Sequence, residues 1–168
     1  MADINILNPD MATDDAAGQD TIRQAIELLF FAYRDFTSDP DLILARSGYG
    51  RAHHRIVHFV GAYPGITVAQ LLGILRITKQ SLGRVLKQLL KQGLVEQRTG
   101  KQDKRQRLLF LTAKGRDFEM SLAGPQQERV RRAFAAAGPV AVTGYLKVLE
   151  QLINESDRAP ILDAIKRG

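Results

Sequence analysis

Two short stretches of this chain carry cations at a density and spacing that suit one kind of chemistry. From Thr78 to Gly93 there are four Lys or Arg, at 79, 84, 87 and 91, and no acid. A second group, Lys101, Lys104, Arg105 and Arg107, surrounds Asp103 in the heptapeptide KQDKRQR. A solvated helix face ordinarily mixes both signs, because Glu and Lys four residues apart attract. A face of one sign suits an anionic partner. From Arg76 to Arg107 ten Lys or Arg stand against two acids, so this segment carries +8 of a net charge of +6 and the other 136 residues carry −2. Excess charge confined to one stretch is the footprint of a polyanion-binding surface.

The three histidines, His53, His54 and His58, share the stretch RAHHRIVHF. His54 and His58 are i,i+4 neighbours, a spacing that can chelate a metal. No Cys occurs in the chain, and no carboxylate stands at ligand spacing, so no metal and no cofactor are expected. A titratable pair facing a small ligand, or plain structural histidines, are the remaining readings. No catalytic residues are expected either. There is no glycine-rich phosphate loop, no nucleophile elbow and no paired carboxylates at helical spacing. The absence of Cys also removes disulfides and thiolate chemistry. No apolar run approaches the roughly 20 residues of a membrane helix, and the N-terminus lacks a secretory pattern. A cytoplasmic protein without membrane contact is expected.

The elements that must position these groups read as mostly helical. Residues 1–20 hold five Asp and no base, and are expected to form a disordered acidic tail. From Thr21, Ile22, Ala25, Ile26, Leu29, Phe30 and Tyr33 make one apolar stripe, with Phe31 and Phe36 off it, so this helix needs more than one partner. TSDPDL, with Pro40, is expected to end it. A helix from Gly50 to Tyr63 and a short one capped by Thr67 follow. Thr78 then caps a longer helix that stops at Gly93. Leu94–Thr99 and Gln106–Leu111 are expected strands of a hairpin. TAKG opens a further helix, which Gly124-Pro125 should kink or interrupt and Gly138-Pro139 should end. An apolar helix near Val140 to Asn154 and a short terminal helix complete the chain.

Two helices joined by a short link form a helix-turn-helix outline. In the second, Leu82, Val85, Leu86, Leu89 and Leu90 share a core side. Gln80, Arg84, Lys87 and Lys91 lie opposite, with Ser81 and Gln88 on one flank. Arg can pair bidentately with guanine, Gln with adenine, and Ser can meet bases or phosphates. Lys87 and Lys91 suit phosphate. A basic hairpin after such a helix is a wing whose tip can enter a minor groove, where negative potential is focused. A winged-helix protein-interaction module is the alternative, but it has no need of an acid-free outer face. The lack of clustered aromatics argues against single-stranded RNA.

The order of helices, helix-turn-helix, wing and long C-terminal helices resembles the MarR family of bacterial transcription regulators. The residues that carry the resemblance are ITKQSLGRVLKQLLKQGLVEQR and DKRQRLLFLTAKG, and it covers Thr21 to Ile153. It implies a mainly α (α+β) fold: a disordered tail at 1–20, a winged helix-turn-helix domain at 48–111, and a helical dimerisation region from 21–47 and 112–168. It implies a homodimer on a pseudo-palindrome of double-stranded DNA. Thr78, Lys79, Gln80, Ser81 and Arg84 match the positions at which the family meets the major groove. Arg105 matches the wing-tip arginine, and Asp103 the acid that shapes the wing. Thr67, Lys87 and Lys104 complete the expected DNA-facing set. The resemblance also implies a small-molecule effector in a cleft near His54, His58 and Phe31, although an effector-independent regulator without a ligand pocket stays open. The family often has glycine where this chain has Arg76, and Ser or Thr where it has Gly83.

Overall fold

A computed structural model of the chain describes residues 9–100 and 103–167, with side chains from residue 18 onward. It divides into two compact units, Met1–Ser38 and Asp39–Gly168. Helix α1 spans Pro9–Arg46. It thus begins well before Thr21, and only residues 1–8 of the expected tail lie outside the described residues. Two local effects account for the early start. Pro9 has the φ that a first helical position favours. Ala12, Ala16 and Ala17 are also residue types of high helix propensity.

In the first unit, the expected stripe lies open: Ile22, Ile26, Leu29, Phe30, Phe31 and Tyr33 are all exposed. Arg23 pairs with Asp20 at 3.3 Å and Glu27 at 3.0 Å along the helix surface. Such exposed pairs contribute about 0.3–0.5 kcal/mol each.

In the second unit, α1 runs through Pro40 instead of stopping there. A proline inside a helix costs about 3 kcal/mol. Here Pro40 and Leu44 are fully buried, and the acids that read as turn formers are held in ion pairs. Asp39 meets Arg129 at 2.9 Å, and Asp41 meets Arg51 at 2.7 Å. Packing and pairing outweigh the local turn preference.

After α2 (Arg51–Ala62), β1 (Ile66–Thr67), α3 (Val68–Leu75) and α4 (Lys79–Lys91) come the wing strands β2 (Val95–Thr99) and β3 (Arg107–Leu111). The sheet is antiparallel in the order β1-β3-β2, with Ile66 opposite Leu109 and Val95 opposite Leu111. The hairpin was expected; the two-residue third strand was not, since two residues show no periodicity. Ile56, Val57, Val60, Leu71, Leu75, Leu82, Leu89, Leu94, Val95 and Leu109 form one core. Each fully buried aliphatic side chain contributes roughly 1.5–3 kcal/mol.

Helix α5 spans Ala113–Leu152 and α6 Glu155–Arg167. Gly124-Pro125 does not interrupt α5, because Leu122 and Ala123 beside it are buried and hold that turn in place. The break falls at Gly138, with φ 80° and ψ 165°. Among the described residues, none after Ala123 is buried.

Candidate nucleic-acid interface

The helix-turn-helix is built from caps upward. Thr67 accepts the Gln70 N–H at 3.2 Å, while Gln70 Oε1 accepts the Thr67 N–H at 2.9 Å. This reciprocal pair satisfies two of the free donors at the start of α3. At its other end Arg76 takes the left-handed conformation, φ 50° and ψ 44°. That explains the glycine common at this position in the family. Arg76 reaches it as a non-glycine residue at a cost of order 1 kcal/mol, and its guanidinium is ion-paired with Asp157 of α6. Thr78 then starts α4: its Oγ1 accepts the Ser81 N–H at 3.2 Å and donates to Ser81 Oγ at 2.9 Å.

Helix α4 has two chemically opposed sides. Leu82, Val85, Leu86 and Leu89 are buried against α2 and β2. Thr78, Lys79, Gln80, Ser81, Arg84, Lys87 and Lys91 are all exposed. Lys79, Arg84, Lys87, Lys91, Lys104 and Arg105 take part in no ion pair among the described residues, whereas Arg76 and Arg98 do. These six cations lie on the outer face of α4 and at the wing tip.

The wing turn is set by backbone bonds around one acid. Asp103 Oδ1 accepts the Arg105 N–H at 2.8 Å. The Asp103 carbonyl accepts the Gln106 N–H, and the Gln106 carbonyl accepts the Gly100 N–H, both at 3.1 Å. A Cβ on Gly100 would lie 2.7 Å from the Asp103 carbonyl, so only glycine fits. Asp103 therefore shapes the turn that carries Lys104 and Arg105; Lys101 and Gln102 lie outside the described residues. Behind the tip, the Arg98 guanidinium sits 4.3 Å from the Phe110 ring centroid and pairs with Glu96.

The motif LTAKG clamps this assembly together. Thr112 Oγ1 donates to the Gly93 carbonyl at 2.6 Å and accepts the Gly115 N–H at 3.0 Å. Lys114 Nζ donates to the Gln92 carbonyl at 2.9 Å, where a cation complements the negative end of α4.

The histidines separate. His54 and His58 are neighbours, ring centroids 6.5 Å apart, and His58 Nδ1 lies 3.5 Å from Glu119 Oε1. Burial, then the nearby His58, hold the His54 imidazole below the usual histidine range, against the pull of Glu119 and Asp41. Phe31 is exposed on α1 in the first unit, with the Arg34 guanidinium 5.0 Å from its ring. Two surface hollows, one lined by Ile22 and Ile26, the other by Arg98 and Phe110, contain neither histidine nor Phe31. His53, which sequence reasoning gave no role, faces α4 instead.

The sequence model of the MarR family matches residues 47–106. The HTH-type transcriptional regulator PetP of Rhodobacter capsulatus is 52% identical over 137 residues, covering 82% of each chain. Among solved structures, Streptococcus pneumoniae FabT in complex with DNA aligns with a TM-score of 0.66 at 21% identity, over 78% of this chain and 94% of that one. A MarR-family regulator from Silicibacter pomeroyi aligns with a TM-score of 0.65 at 20% identity, over 78% and 92%.

Proposed function

Because the chain belongs to the MarR family and is a transcriptional regulator of that type, we propose that it binds a pseudo-palindromic operator in double-stranded DNA as a homodimer. The observation that carries this reading is the exposed, acid-free face of α4 beside a basic wing tip, its cations left without acidic partners. In this reading residues 48–111 form the DNA-binding domain and 21–47 with 112–168 the dimerisation region. Gln80, Ser81 and Arg84 reach base edges. Thr67, Thr78, Lys79, Lys87 and Lys104 hold phosphates, and Arg105 enters a minor groove. FabT, whose fold this chain shares, is seen with DNA. Selection of bound fragments from genomic DNA tests the reading directly, and recovery of no sequence above background would sink it.

Two expected results follow. Affinity for a selected duplex should fall by about 10³-fold or more between roughly 50 and 200 mM salt, as condensed counterions are released from several phosphates. Arg84→Ala should cost on the order of 1–3 kcal/mol and blur preference at one position, whereas Lys91→Ala should weaken all sequences alike. Binding to randomised duplexes for both variants separates the two roles.

The dimer is supported by apolar surface that each unit leaves open. Phe30 is 70% exposed in the first unit, and Val140 87% and Leu152 63% in the second. Monomers rarely display so much large apolar surface. Phe31 belongs with this surface. A chain ended at Gly138 keeps every residue that is buried among the described ones, and should stay folded but sediment as a monomer, with weak operator binding.

A small effector would act in this reading at His54 and His58. The imidazole pair and Glu119 together offer both donors and acceptors to a polar ligand.

A further inference from the structure

Residue His53 joins α2 to α4 through its side chain. It lies in the first turn of α2. Its Nδ1 accepts the Gly50 backbone N–H at 3.1 Å, and its Nε2 lies 2.9 Å from Oε1 of Gln88 on α4. A ring nitrogen that accepts an N–H carries no proton. The single proton of the neutral imidazole therefore sits on Nε2, which donates to Gln88. Tyr49 lies against the ring with centroids 4.8 Å apart, and Tyr49 in turn meets Phe118 of α5 at 5.5 Å. The imidazole is held at both nitrogens and on one face.

What this bond does follows from the geometry of α4. At 3.6 residues per turn, Gln88 stands about 40° around the helix from Arg84, and Gln80 about 40° to the other side. The buried face, Leu82, Val85, Leu86 and Leu89, fixes where the helix lies. Burial of that face forbids large rotations of the helix about its own axis, but apolar contact is non-directional and leaves small changes of roll less constrained. A hydrogen bond to one flank is directional. We propose that His53 is a positioning residue for base readout: through Gln88 it sets the roll of α4, and so decides which base edges Arg84 and Gln80 reach. The role rests on the DNA-binding reading above. It also assigns Gln88, whose oxygen is turned toward α2, to support and not to direct contact with a base.

The test uses the full chain and two probes, a duplex enriched from genomic DNA by the wild-type protein and a scrambled duplex of the same composition. His53→Asn keeps an acceptor for the Gly50 N–H but is too short to reach Gln88. It should melt near the wild-type temperature while the ratio of specific to scrambled binding falls about tenfold, the factor that one hydrogen bond's free energy commands. Gln88→Leu should lower the ratio equally, and the double variant should fall no further, because both changes remove the same bond. Repeating the selection with His53→Asn should broaden the same base positions that Arg84→Ala broadens. An unchanged ratio in His53→Asn overturns the proposal, as do additive losses in the double variant. A several-fold larger loss in Gln88→Leu than in His53→Asn also overturns it, by making Gln88 a direct reader. Failure of the wild-type chain to enrich any duplex removes the DNA-binding reading itself, and the positioning role with it.

Discussion

Gly115→Ala should destabilise the winged domain by on the order of 3–5 kcal/mol, the range of severe steric lesions. A Cβ at this position would sit 1.9 Å from the Leu94 carbonyl oxygen and 2.9 Å from its carbon. Both atoms are backbone, so no side-chain rotation relieves the clash. Helix α5 would have to move away from the wing. That movement strains the Thr112 hydroxyl bond to the Gly93 carbonyl and the Thr112 N–H bond to the Leu94 carbonyl. A fall in melting temperature of about 10 °C is expected, together with loss of operator binding. Gly83→Ala is the control: nothing lies within 4 Å of its added methyl, and it sits inside α4. It should gain up to about 1 kcal/mol from helix propensity. Thermal unfolding of the two variants decides the matter. Equal melting temperatures would mean that the clamp does not hold the wing.

The second large effect concerns the wing tip, where counting charge and reading geometry predict opposite signs. Asp103→Ala makes the protein more basic, so charge alone predicts tighter DNA binding. The Asp103 carboxylate, however, accepts the Arg105 N–H, and its backbone oxygen accepts that of Gln106. Removing the side chain loosens the turn that presents Arg105. A five- to tenfold weaker affinity is expected, from about 1–1.5 kcal/mol for one charge-assisted bond. Arg105→Lys should be nearly as harmful as Arg105→Ala, because an ammonium is more strongly hydrated and enters a narrow groove less readily. Anisotropy titrations at one salt concentration measure both. Tighter binding by Asp103→Ala with normal binding by Arg105→Lys would reduce the tip to a diffuse positive cloud.

Features written in neighbouring residues were legible in the sequence. The two faces of α4 follow from a leucine period of three to four, the caps from Thr67 and Thr78, and the hairpin from alternating strands around a charged turn. Features that depend on distant partners were not. Pro40 reads as a helix end until Asp39 and Asp41 find Arg129 and Arg51. The link from His53 to Gln88 spans 35 residues, and that from Arg76 to Asp157 spans 81, and neither leaves a local pattern. LTAKG was visible as a motif. Its reason, a glycine pressed against the carbonyl of Leu94, exists only once α5 has docked.

The break at Gly138 has a bearing on distance. Its φ and ψ fall in a region open essentially to glycine alone, and Pro139 next to it has its own φ locked by the ring. The two rods of α5 therefore meet at a glycine corner, braced by Phe134 on one rod and Tyr145 on the other, whose ring centroids lie 6.0 Å apart across the break. If two copies join through the outer rods, as proposed, the angle of that corner fixes the gap between their two α4 helices. The span must then match about one turn of duplex, 34–36 Å. The ruler that selects operator spacing would lie more than 40 residues in sequence from the residues that read the letters.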